Sequence, residues 1–359
     1  MRFLFFFLAT ALLSSCGPSE EPLSPAEAAA FARSVDSSIR DDRFSRLDEV
    51  IDKDLLAQET ARAAGKKLDA DLRRGVIEGL SKHGFSQQVS AEVAKGGTYR
   101  LVRTYEKEGS QHMIFRLYGD DGVNYHDFSL TKLRGQIRAR DVYILLSGEM
   151  LSQTLAGLLK TLSEKSSDAE RQATQMQRAS QQLSLQNYSA ARAVLDSLPA
   201  SIRASRTVQI MSIVVSSHLD SAIYTQTLAD FERRYGNDPS AQFALFDHYF
   251  ARKDFARSHR IVDNMDKLVQ DPLLDFFRAL LYEQEEKNTE AVAALERLNK
   301  AMPDFESGAL ELLNLYVMMD NVEQGNRLIA SYKAQKDFHP EYLRYIRLKY
   351  HEQGLHFNW

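Results

Sequence analysis

Apolar and polar positions change rhythm several times along this chain, and each change marks a boundary. Phe3 to Leu13 is an apolar run behind Arg2, interrupted only by Thr10. It is too short to cross a bilayer core of about 30 Å and has the length of a secretory h-region. From Pro25 apolar residues fall at helical spacing, at Phe31, Val35, Ile39, Phe44, Leu47, Val50, Ile51 and Leu55, with a break near Arg40 to Asp42. Ser24, Pro25 and Glu27 supply an N-cap, a first-turn proline and the third residue of a capping box. A further helix is predicted from Leu68 to Lys82, and "FSQQVSAEV" (85–93) reads as a strand. After Gly96-Gly97 the period shortens to two. "TYRLVRTYE", "SQHMIFRLYG", "VNYHDFSLTKL" and "QIRARDVYILL" alternate and are rich in aromatic and β-branched residues, as half-buried strands are. "KEG", "GDDG" and "LRG" between them each carry a glycine suited to a hairpin turn. Helices followed by an antiparallel meander predict an α+β domain over 25–150, with the helices on one sheet face. Residues 151–170 read as a linker helix.

The second half has a longer period. Tyr249, Tyr282 and Tyr316 lie 33 and 34 residues apart, and Ser258, Ala291 and Gly325 keep the same intervals. So do Val262, Leu295 and Ile329, and Met265, Leu298 and Tyr332. An earlier copy, "NYSAARAVLDSL", puts Ala191, Leu195 and Leu198 at matching positions. A small residue where two helices cross lets their backbones approach, and larger apolar residues fill the groove beside it. This order of residues at this period resembles the tetratricopeptide repeat (TPR). The unit "DFFRALLYEQEEKNTEAVAALERLNKAMP" carries the resemblance best, through Ala279, Tyr282, Ala291, Leu295, Leu298 and Pro303. The motif tryptophan is missing, and His248 and Arg257 shift the register of the third unit by one. About five units are expected over 171–338, followed by a more polar capping helix and tail over 339–359.

The element order of residues 25–150 resembles the NTF2-like (cystatin-like) cone, a bent sheet wrapped around N-terminal helices. The expected fold class is therefore multidomain: an NTF2-like α+β cone followed by a TPR α-solenoid. In TPR proteins the first helix of each repeat lines a concave groove. Carried onto this chain, the groove positions are Phe243, Asp247 and Phe250, then Phe276, Leu280 and Glu283, then Leu310, Asn314 and Val317. This lining lacks the Lys/Asn/Arg set that clamps C-terminal carboxylates, and favours a peptide with apolar anchors. The same aromatics are equally suited to packing between repeats or against the N-terminal domain. In the cone, Arg116, Tyr118, Tyr125 and Asp127 are the candidate pocket, with Asp141 and the rest of "NYHDF" nearby. Strict alternation would instead send Tyr125 and Asp127 to one face and His126 and Phe128 to the other.

Composition narrows the function. With a net charge of -4 the chain has no basic footprint for nucleic acid. There is no HExxH, GxSxG, Walker A loop, paired-cysteine spacing or GxGxxG before a helix. No catalytic residue, metal or cofactor is expected, and the chain reads as non-enzymatic. Its one cysteine, Cys16, excludes an internal disulfide. "LSSC" (13–16) resembles a bacterial lipobox, with Leu at −3 and a small residue before the cysteine. The resemblance implies cleavage of a signal peptide over 1–15 and acylation of Cys16, with 16–24 as a tether. Each buried methylene contributes about 0.8 kcal/mol, so several acyl chains hold a protein firmly. The other reading is a plain signal peptide with an incidental cysteine. Gly17 in place of Asp favours the outer membrane. "SEE" (19–21) resembles an acidic surface-export signal, though a solvated tether has the same composition. The expectation is an envelope lipoprotein, periplasmic or surface-facing, that scaffolds other envelope proteins or peptides. The alternative is an envelope enzyme or small-molecule binder with its pocket in the cone. Oligomeric state is left open.

Overall fold

A computed structural model describes residues 20–82, 84–119, 122–163, 167–335, 338–350 and 356–359. The apolar run, the lipobox with Cys16, Gly17, Ser19, and the Asp120-Asp121 turn lie outside these residues. The chain is mixed α+β: an antiparallel sheet of six strands with a mostly helical C-terminal region.

Strand β1 (Glu20–Glu21) comes first, and helices α1 (Pro25–Arg40), α2 (Ser45–Val50), α3 (Lys53–Ala63), α4 (Ala70–Lys82) and α5 (Phe85–Ala94) follow. The capping box of α1 forms as the sequence predicts: Glu27 N–H donates to Ser24 Oγ at 3.3 Å and Ser24 N–H to the Glu27 carboxylate at 3.0 Å. Two expectations are corrected here. Residues 85–94 form a helix, not a strand. Phe85 and Val89 are buried one helical turn apart, and Asp48 of α2 accepts from both the backbone and the hydroxyl of Ser86 at the helix start. That cap comes from a residue 38 positions away, so local pattern did not carry it. Within the expected tether, Glu20 and Glu21 are a strand paired with Leu133 and Lys132.

The meander is β2 (Thr98–Lys107), β3 (Ser110–Gly119), β4 (Gly122–Leu133), β5 (Gln136–Ile144) and β6 (Glu149–Met150), in the order β2-β3-β4-β5-β6 with β1 added on β4. The β4–β5 turn has Arg134 and Gly135 both at positive φ (50° and 72°), the two-residue turn whose twist matches the strands. One sheet face carries Tyr99, Met113, Phe115, Phe128 and Val142, buried against Val35, Ile39, Leu47, Leu56 and Phe85 of the helices. Helix α6 (Leu151–Ser163) closes this core through Leu151 and Leu155. Asp141 accepts from Ser152 N–H at 3.1 Å and so caps its first turn. The first part of the expected linker therefore belongs to the α+β unit.

The rest is helical: α7 (Ser167–Ser184), α8 (Tyr188–Asp196), the short α9 (Ala200–Arg203), α10 (Arg206–Ser217), α11 (Ser221–Tyr235), a 3-10 segment (Pro239–Leu245) leading into α12 (Phe246–Ala251), then α13 (Phe255–Val269), α14 (Leu274–Gln284), α15 (Asn288–Ala301), α16 (Glu306–Met318), α17 (Val322–Lys333) and α18 (Pro340–Lys349). Five successive pairs touch along their lengths, α7 with α8, α10 with α11, α12 with α13, α14 with α15 and α16 with α17. Ser258 and Ala291, the small repeat positions, are fully buried, as are Leu295 and Leu298. The backbone repeats where the side chains do not. Lys253, Glu286 and Asp320, again 33 and 34 apart, all sit at positive φ in the turn inside a pair, and Gln186 does the same in the first. The next N–H then closes the turn on the carbonyl five residues back, Asp254 on Tyr249, Lys287 on Tyr282 and Asn321 on Tyr316, at 2.8–2.9 Å.

The second sheet face is covered by this array. Ile114, Val123, Tyr125 and Leu145 share one core with Leu228, Phe231, Leu245, Phe246, Tyr249, Val269 and Leu274. The sheet is thus the middle of three layers. Contact is close: a Cβ on Gly148 would lie 2.1 Å from the Ser240 carbonyl oxygen.

Candidate functional site

Strand alternation divides "NYHDF" between the two faces, as the period-two reading anticipates. His126 and Phe128 point to the helices. His126 is wholly buried between Tyr99 Oη (3.1 Å) and Asn124 Nδ2 (3.2 Å), and burial lowers its pKa to about 3. It is a neutral structural imidazole. Tyr125 and Asp127 point to the array side with Arg116 and Tyr118.

These four candidate pocket residues do not line one cavity. Arg116 Nη1 donates to both carboxylate oxygens of Asp271 at 2.7 and 2.8 Å, and both side chains are more than nine-tenths buried. Asp271 also accepts from Leu273 N–H at 3.0 Å, which fixes it at the start of α14. The Tyr118 ring meets Phe305 edge-on at 5.2 Å. Tyr125 is 1% exposed, with its hydroxyl unpartnered among the described residues, and burial raises its pKa. Asp127 turns away from these three. It accepts from Tyr105 Oη at 2.5 Å and meets His112 Nδ1 at 3.0 Å, a half-buried cluster over which Arg103 stacks on the Tyr105 ring at 4.4 Å. Arg103 in turn donates to Leu268 O (2.6 Å) and Gln270 (2.8 Å), so this cluster too is tied to the array. Asp141 is spent on α6.

The nine groove positions fall into two groups. Phe243, Phe250 and Phe276 pack into the core shared with the sheet. A ladder of rings runs from Tyr118 through Phe305 (5.2 Å), Phe276 (5.4 Å), Phe277 (6.2 Å) and Phe246 (5.3 Å) to Phe250 (5.8 Å). Aromatics at edge-on and offset spacing supply both area and specific geometry. Here they hold sheet to array. Asp247 accepts from Tyr224 Oη at 3.1 Å, and Leu280 is half-buried. Val317 is 0% exposed, a core residue that presents nothing to a partner.

Leu310, Glu283 and Asn314 are different. Leu310 is partly buried against the core of the last repeats. Glu283 of α14 faces Glu311 of α16, and its pKa is raised to about 8, first by burial and then by that second carboxylate. Its Oε1 is buried with no partner among the described residues. Asn314 Nδ2 donates to Glu311 at 2.9 Å, and Lys349 Nζ of α18 donates to Asn314 Oδ1 at 3.0 Å. The result is a polar trough shared by three helices. Glu311 and Lys349 were missed from sequence. Glu311 stands one helical turn before Asn314, which was the available signal. Beside the trough, α18 buries Leu343 and Ile346 and exposes Tyr342 (42%), Tyr345 (66%) and Leu348 (62%). Its outer face is therefore more apolar than the polar cap expected.

Compared with protein-family models, curated proteins and solved structures, the chain matches none. Among the described residues, no group of three or more His, Cys, Asp or Glu is placed to hold a metal ion, and no helix is long and apolar enough to cross a membrane.

Proposed function

We propose that this chain is a lipid-anchored bacterial envelope protein, tethered through Cys16 at the outer membrane. It serves as a non-enzymatic scaffold for other envelope polypeptides. In this reading the α+β unit is an NTF2-like domain, and the five helix pairs are a TPR array. The array reading is supported by the backbone turns that recur at 33 and 34 residues together with buried small residues at the same period.

The observation that carries the proposal is the contrast along the array. Its aromatic stretch is occupied by the chain's own sheet, while α14, α16 and α18 offer a polar trough flanked by exposed Tyr342, Tyr345 and Leu348. An apolar stripe beside a few fixed polar groups suits an amphipathic peptide or helix from a partner. The alternative, a ligand pocket in the α+β unit, is less well supported because Arg116, Tyr118 and Tyr125 are covered. The test is capture from detergent-solubilised envelopes with the full chain as bait. A partner retained by the parent and lost with Tyr345→Ser plus Leu348→Ser supports the scaffold. The double variant should match the parent in stability to within about 0.5 kcal/mol, as exposed substitutions do. Equal capture by both would remove this surface from consideration.

A further inference from the structure

Strand β1 limits how far the body can stand from its anchor. Glu20 lies opposite Leu133 and Glu21 opposite Lys132, so the first described residue sits one position from the Arg134-Gly135 hairpin tip. Side chains lock it there. Glu20 pairs with Arg140 and accepts from Thr131 Oγ1 at 3.0 Å, and Glu21 accepts from Gly135 N–H at 2.8 Å. Only Cys16 to Ser19 then separate Glu20 from the acylated sulfur. At ~3.6 Å per residue those positions span at most about 14 Å.

The same hairpin is charged for what it must approach. From Thr131 to Arg140 it carries Lys132, Arg134, Arg138 and Arg140 and no carboxylate. Lys132 is paired with Glu27, and Arg140 with Glu20 and Glu59. Arg134 is exposed, and Arg138 donates only to Ile137 O and to Gln136 at the tip, so neither has a carboxylate partner among the described residues. We infer that the β4–β5 hairpin tip is the pole of the molecule that meets the bilayer, with Arg134 and Arg138 lying against anionic lipid headgroups. This rests on the reading of Cys16 as acylated. Exposed Arg134, and Arg138 with no ion pair of its own among the described residues, favour that orientation beside an anionic leaflet, even though the Glu21 carboxylate sits on Gly135 N–H at the tip. Tyr118, where Phe305 and the ring ladder attach, pairs with Val123 at the other end of β4. That is ten residues from Leu133, roughly 33 Å along a strand. The pole therefore leaves the α14–α16 contact at the end of the sheet away from the membrane. "SEE" acquires a structural job: two of its three residues buckle the leash.

The test uses the acylated full chain in vesicles of phosphatidylethanolamine and phosphatidylglycerol, with Trp359→Phe to remove the one tryptophan. A reporter is then placed by Gln136→Trp at the tip or Met318→Trp on the array. Doxyl-labelled lipid should quench the reporter at 136 several-fold more than that at 318. Arg134→Glu plus Arg138→Glu, or Glu20→Ala plus Glu21→Ala, should each lower quenching at 136. A parent that fails to float with the vesicles overturns the anchor reading and this inference with it. A parent that floats but is quenched equally at 136 and 318 overturns the inference alone. Unchanged quenching in both double variants removes the roles given to the hairpin cations and to β1.

Discussion

Between Phe243 and Phe276 the inner side of the array is a run of rings lying on the sheet. Between Glu283 and Lys349 it is two carboxyls, an amide and an ammonium beside exposed apolar side chains. The expected groove register places Phe243, Phe250 and Phe276 alike with Glu283 and Asn314, whereas Glu311 and Lys349 join the second stretch from outside that register. What separates them is the reach of the sheet, which ends at Tyr118 against Phe305. A repeat pattern fixes where a residue stands on its helix. Whether that position is vacant depends on what else the chain brings to it.

Breaking the first region should have the largest effect. Asp271→Ala leaves Arg116 buried without its anion, and loss of one partner of such a pair costs about 3–5 kcal/mol. Denaturant unfolding should register the loss, with hydrogen exchange rising together in β3 and the start of α14. Arg116→Met combined with Asp271→Leu should recover most of it, because an apolar pair of similar size replaces a buried ion pair well. Loss of protection confined to α14 alone would mean that sheet and array are not one cooperative body.

The second region should respond to pH. Glu283 has its pKa raised from 4.5 to about 8, so the folded chain holds a proton there that the unfolded chain releases. Stability at this end should fall as pH rises from about 4.5 towards 8 and level off above that, the reverse of the usual salt-bridged carboxylate. Glu283→Gln should flatten that part of the profile and raise the melting temperature above pH 8, read from thermal scans across the window. A profile in the variant as steep as in the parent would assign the dependence elsewhere.

The smallest effect tests what the two regions share. Lys253 lies in the turn of the sheet-bound pair and Glu286 in the next, both in the left-handed conformation. Replacing either by Gly should relieve roughly 1 kcal/mol of Cβ strain. Equal gains from Lys253→Gly and Glu286→Gly would show the turns to be the same device in both places. Unequal gains would show that the sheet has altered one of them.

Much of this was legible in the sequence, for identifiable reasons. The four long strands emerge close to their expected limits because alternation and Gly turns are local signals. The buried positions of the repeats follow from a period that residues such as Ala291 and Leu295 display openly. Three of the misreadings involve partners distant in sequence. Asp48 makes a helix of 85–94, β4 makes a strand of Glu20–Glu21, and Asp271 turns Arg116 from a pocket candidate into a fastener. Glu283 and Asn314 were found from the groove register, but Lys349 comes from a helix beyond the expected repeats. Its link to them exists only once the chain is folded.

One last contact has a practical side. A Cβ on Gly325 would stand 2.3 Å from the Phe357 ring, which is itself 6% exposed and seated in the final pair beside Ile329 and Tyr332. The tail is therefore a stopper. Trimming off Phe357 would leave a phenyl-sized hole in the closing turns of the stack, and the damage should be felt at Tyr332 well before it reaches the sheet.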